Sequence, residues 1–122
     1  MIKEKLSWPD AEIRCKKEGG HLASIHSKEE NDFVTRIVSV NDKHNPWYWI
    51  GANDLLSDGL FVWSDQSALN YSNWKVGEPN NGVAGAYQEN CVQIVTMDRH
   101  GHNGKWVDIQ CKRLHHFVCK IG

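Results

Sequence analysis

The stretch Gly77-Glu78-Pro79-Asn80-Asn81 sets a carboxylate and a carboxamide on either side of a proline, with a second carboxamide following. No apolar periodicity on either side makes it helix or strand. Oxygen-bearing side chains on a rigid peptide unit suit either an ordinary polar turn or one wall of a site for a hard cation. Other chemistries are poorly supplied. His100 and His102 could share one side of a strand and hold zinc, but no third ligand stands out, so they read as exposed loop histidines. His115 and His116 open the last strand and read as packing or surface. Serine, histidine and acidic residues are present without a motif that pairs a nucleophile with a base, which argues against an enzyme.

The elements that must position such a loop fit within 122 residues, the length of one domain spanning 1–122. Lys+Arg 14 against Asp+Glu 15 leaves a net charge of -1, with no electrostatic case for nucleic acid or an anionic membrane. No apolar run is long enough to insert in a membrane. The four cysteines, Cys15, Cys91, Cys111 and Cys119, lack a C-x-x-C pair, so disulfides outrank metal thiolates. Three pairings remain open at this point. Each bridge could stabilise the fold by roughly 3–5 kcal/mol through loop entropy. Disulfides imply an oxidising compartment, hence a secreted or extracellular protein; of a true start and an added initiator on a trimmed chain, this favours the second for Met1.

Ser7 as cap, Pro9 in the opening turn and Gly19-Gly20 as stop predict a helix over roughly Trp8 to Glu18. Its inner face would carry Trp8, Ala11 and Cys15. Ser27-Lys28-Glu29-Glu30 is a capping-box signature for a second helix, whose stripe Phe33, Val34, Ile37 and Val38 is expected in the core. Five aromatic and β-branched segments, 47–51, 60–63, 91–95, 105–109 and 116–120, predict strands. Residues 64–90 form a long span without periodicity, and such loops in compact domains usually serve function. The order predicts an α+β domain with a mostly antiparallel sheet.

"HLASIHS", "WIGANDLLSDGLFVWSD", "YSNWKVGEPNN", "ENC", "GKWVDIQC" and "HHFVCK", in this order and with this cysteine spacing, resemble a C-type lectin-like domain nearly end to end. The resemblance implies two helices with antiparallel sheets, a long ligand-binding loop, and disulfides Cys15–Cys119 and Cys91–Cys111. It implies a core containing Trp49, Trp63, Trp74 and Trp106. It also implies a Ca2+ ion held by Glu78, Asn80, Glu89 and Asp108, to which a sugar binds directly through two vicinal hydroxyls. Calcium takes about 6–8 oxygen ligands, and three carboxylates with one amide would leave a face open. The same four residues would contact the sugar, with Tyr87 available to stack on it. In the family, Glu-Pro-Asn goes with mannose-type sugars: mannose, fucose, glucose and N-acetylglucosamine. Partners are therefore glycans bearing those sugars. Weak binding at one site implies an oligomer or a larger parent chain.

This chain departs from the family pattern at Val107, where the usual Trp-Asn-Asp becomes Trp106-Val107-Asp108 and one oxygen ligand is lost. The segment from Asn80 to Glu89 is also a few residues longer. Asp54, Asp58, Asn81 and Asn90 match an auxiliary calcium site found in some members, although Asp54 and Asp58 flank Gly59 as ordinary turn residues would. Val107 leaves room for an alternative on the same fold, a calcium-independent protein-interaction domain or one that binds an ice or mineral surface. Asn70-Tyr71-Ser72 matches the N-glycosylation acceptor pattern but adjoins Trp74, where partial burial would compete with modification.

Overall fold

The computed structural model describes residues 4–41, 47–56, 60–75, 91–96 and 104–121. Helix α1 covers Trp8–Lys17 and follows its local signals. Ser7 Oγ accepts from the Asp10 N–H at 3.4 Å, Pro9 occupies the first turn, and Arg14, Lys16 and Lys17 sit at the negative end of the helix dipole. The chain leaves through Gly19 at φ 93°, a left-handed geometry that favours glycine. Trp8, Ala11 and Cys15 are buried, as their spacing predicts.

Helix α2, Lys28–Asn41, opens with a shifted form of the expected box, in which the Glu30 carboxylate reaches back to His26 rather than to the cap residue Ser27. Ser27 Oγ accepts from Glu30 N–H at 3.1 Å, while Glu30 Oε1 accepts from His26 N–H at 2.8 Å. Its inward face differs from the expected stripe. Asn31, Val34 and Val38 are buried, Ile37 is half-buried, and Phe33 is 53% exposed. Phe33 instead lines an open groove of about 570 Å³ with Val34, Ile37, Ala23, Val118 and Ile121. The helix is rotated because Asn31 is drawn inward by partners far along the chain.

Strand β1 (Gly20–Leu22), which sequence patterning does not announce, pairs antiparallel with β7 (Cys119–Ile121). The main sheet runs β3 (Val62–Trp63), β2 (Trp47–Asn53), β4 (Cys91–Val95), β5 (Trp106–Ile109). Its pairings are antiparallel, and β6 (His116–Phe117) joins β2 in parallel. Strand β2 is buried on both faces. Tyr48, Ile50 and Ala52 enter one core with Ile25, Val38, Trp63, Val92, Ile94 and Trp106. Trp49 enters the other with Trp8, Ala11, Leu22 and Phe117. That period-2 division explains why "WYWIGA" carries hardly a polar residue. Two indoles tie the amino-terminal segment to it: Trp8 Nε1 donates to Ile50 O at 2.8 Å and Trp49 Nε1 to Leu6 O at 2.9 Å.

The bridges are Cys15–Cys119 and Cys91–Cys111, and no cysteine is free. One joins α1 to β7; the other joins the head of β4 to the turn after β5.

His115 lies edge-on between Trp47 and Trp49, with centroids 6.0 and 5.4 Å away. Burial, with the charges of Arg113, Lys5 and His116, holds its imidazole below the ordinary value of 6.5. The unfolded chain therefore takes up a proton that the folded one refuses. This contribution to stability is full above pH 6.5 and is lost as pH falls from there towards the folded value. Urea unfolding at descending pH should show lower stability on the acid side, and His115→Phe should flatten that part of the slope.

Candidate functional site

The long loop is secured at both ends to β5. On the outgoing side, Trp106 N–H donates to Asn73 O and Lys75 N–H to Trp106 O, both at 2.9 Å, so Trp74 bridges Trp106 in parallel. On the returning side, Cys91 pairs with Ile109 and is bonded to Cys111. Asp108 therefore stands on β5 between the two feet of residues 76–90. It is 3% exposed and pairs in register with Val92. A carboxylate so nearly removed from water persists only where hydrogen-bond donors or a cation face it.

The outgoing foot is itself held by a polar network. Asn31 donates from Nδ2 to Gly104 O at 2.9 Å and accepts at Oδ1 from Trp106 Nε1 at 2.8 Å. Asn73 Nδ2 donates to the same Gly104 carbonyl at 2.8 Å, and Lys105 Nζ donates to Asn73 Oδ1 at 3.0 Å. Gly104 has φ 82°, and a Cβ there would come within 3.0 Å of both Asn31 Nδ2 and Thr35 Oγ1. A side chain at this point would strain the left-handed backbone and crowd the Asn31 and Thr35 side chains of α2. Sequence reasoning assigned no role to Asn31 or Asn73: Asn31 lies in no motif, Asn73 falls within "YSNW" without a signal of its own, and the partners of both are distant in sequence.

Asp54, offered for an auxiliary site, follows β2 directly and is 1% exposed. Its neighbour Asn53 pairs with Cys91, so Asp54 lies at the returning foot of the loop. Asn53 turns the chain there: its Nδ2 donates to Gly51 O at 3.1 Å and its Oδ1 accepts from Leu55 N–H at 3.3 Å. Val107 is half-buried, and strand alternation sends it to the face opposite Asp108. Asp58, Glu78, Asn80, Asn81, Tyr87, Glu89 and Asn90 lie outside the described residues, as do His100 and His102. Among the described residues, no group of three or more His, Cys, Asp or Glu is arranged to hold a metal. Nor is any helix among them long and apolar enough to cross a membrane.

Residues 4–121 match the family model of the lectin C-type domain. The chain belongs to the C-type lectin domain family. This C-type lectin domain is 40% identical over 121 residues to a lectin of Pleurodeles waltl; the match covers 98% of this chain and 66% of that protein, slightly under two thirds. It is 40% identical over 122 residues to a C-type lectin mannose-binding isoform of Oxyuranus scutellatus, covering 98% of this chain and 73% of the other. The galactose-specific lectin nattectin of Thalassophryne nattereri is 34% identical over 114 residues, with 93% and 67% covered. Among solved structures, a calcium-independent type II antifreeze protein aligns with TM-score 0.77 and 29% identity, covering 95% of this chain and 78% of the other.

The network around Trp106 makes a prediction. Asn31→Leu keeps the side-chain size but leaves the indole N–H without its acceptor. It should cost about 1–3 kcal/mol in urea unfolding, the penalty of orphaning one buried donor.

Proposed function

We propose that this domain, residues 1–122, binds mannose-type sugars through calcium, with Glu78, Asn80, Glu89 and Asp108 as ligands of the ion. The observation that carries this is Asp108, a buried carboxylate fixed between the two feet of the loop that bears the other three. Oxygen donors of this kind, carboxylates with an amide, match a hard cation. Calcium, when bound, supplies a centre that accepts lone pairs from two vicinal hydroxyls. The chain's own groups do the rest. A carboxylate such as Glu78 accepts a hydrogen bond from the hydroxyl, and the Asn80 amide nitrogen donates one to the hydroxyl oxygen. The order acid-then-amide fixes which side of the site accepts and which donates. Relatives described as mannose-binding and as galactose-specific both occur, so the polarity of this motif is the feature expected to choose between them.

No covalent bond is made or broken in such binding, and the protein is not an enzyme in this account. Single-site affinity is weak, so useful attachment to a glycan surface needs several copies acting together, in an oligomer or a longer chain. The two disulfides support a secreted or extracellular setting. Asp54, with Asp58, Asn81 and Asn90, is offered as an auxiliary calcium site.

A second account has specific support. Val107 offers hydrocarbon where the family pattern has an oxygen, and the fold also serves a calcium-independent antifreeze protein. On that account the domain binds a protein, ice or a mineral surface without metal.

Glycan binding measured with calcium and again with chelator separates the two. Mannose should compete and galactose should not. Glu78→Gln with Asn80→Asp should move the preference towards galactose by roughly tenfold, about 1.4 kcal/mol. In calorimetry, Asp108→Ala should abolish calcium and sugar binding together. Binding that survives chelator and the Asp108 change would establish the second account.

A further inference from the structure

The motif Asn70-Tyr71-Ser72 has no part in the calcium account, and it is the only N-x-S/T sequence in the chain. Its neighbour Trp74 suggests partial burial, but the structure separates the two. From 66 to 73 the exposure alternates residue by residue. Gln66, Ala68, Asn70 and Ser72 are exposed, while Ser67, Leu69, Tyr71 and Asn73 are partly buried. That is the signature of extended chain with one side on the body of the protein.

The inward side is well anchored. Leu69 and Tyr71 pack on the main core, and the Tyr71 ring meets Trp106 edge-on at 5.9 Å. Asn73 is tied to Gly104 at 2.8 Å. These contacts hold the segment so that the Asn70 amide and the Ser72 hydroxyl project on the same outward side, two positions apart. An acceptor asparagine needs this arrangement: an accessible amide, a hydroxyl at the second following position, and no proline between.

We propose that Asn70 is an N-glycosylation site. The co-substrate is an oligosaccharide carried on a polyisoprenyl diphosphate. Asn70 Nδ2 forms a bond to the anomeric carbon as the bond from that carbon to the diphosphate oxygen breaks. The diphosphate leaves with the electron pair, and the amide nitrogen gives up one proton to base. No redox change occurs. The disulfides place the chain in the oxidising compartment where secreted proteins acquire such glycans.

Asn70 is not among the residues proposed to hold calcium or sugar. Trp74 bridges Trp106 in parallel; Asp108 lies two residues beyond that bridge, and Asn70 lies four residues before it. Asn70 and Asp108 thus lie on opposite sides of that bridge along the chain direction. The modification can be tested apart from lectin activity.

The full chain secreted from cultured animal cells provides the test. Treatment with a peptide N-glycosidase should increase its gel mobility, and peptide mass mapping should find Asn70 converted to aspartate. Asn70→Gln and Ser72→Ala should each abolish the shift, while Ser72→Thr should retain it. Unfolding of Asn70→Gln should match that of the deglycosylated protein. An N-x-T tripeptide appended to the carboxyl terminus serves as a control. If it carries glycan while Asn70 of the same secreted molecules is bare, the proposal is overturned.

Discussion

Trp106 is the residue on which the arrangement of this domain turns. It is fully buried and lies edge-on to Trp63, Tyr71 and Trp74, with centroids 5.4 to 5.9 Å away. Such edge-to-face contacts add to the large apolar area that each ring buries. Its indole N–H needs an acceptor inside the protein, and Asn31 of α2 supplies it. Its main chain takes the outgoing end of the long loop on both its N–H and its carbonyl. One side chain thus joins helix, sheet and loop, and Asp108 two residues on inherits its position from that junction.

The polar groups around Trp106 form a connected network with consequences for specificity of folding. Asn31, Asn73, Gly104 and Lys105 satisfy one another among aromatic rings, where an unpaired donor would be costly. The left-handed Gly104 leaves room for the Asn31 amide to approach. A helix packed only by hydrocarbon could slide or rotate on the sheet. The two hydrogen bonds of Asn31 fix its rotation, which is why Phe33 faces the groove rather than the core.

A second constraint acts at the opposite end of the loop. Cys91 is bonded to Cys111 and pairs with both Ile109 and Asn53, so the returning chain is held between β5 and β2. Loop ends fixed in this way lower the conformational entropy that ordering the intervening residues would otherwise cost. Binding residues carried on such a loop gain precision from a scaffold they do not belong to.

The sequence by itself determined much of the local structure. Ser7, Pro9 and Gly19 bounded α1, the Ser27–Glu30 box opened α2, and the aromatic and β-branched residues of 47–51 announced a strand, whose burial on both faces the fold added. These features are legible because capping and periodicity act over a few residues. The lectin motif and cysteine spacing carried the family and the disulfide pairing, and pointed to Asp108 as a candidate ligand. Tertiary structure alone decided the rest. Strand β1 forms because β7 lies beside it, not because Gly20-His21-Leu22 favours a strand. Asn31 is buried because Gly104 and Trp106, more than seventy positions away, come to meet it. Asn70 faces outward because Leu69 and Tyr71 are claimed by the core on the other side. Burial of a polar residue, or its exposure, depends on partners that only the folded chain brings within reach.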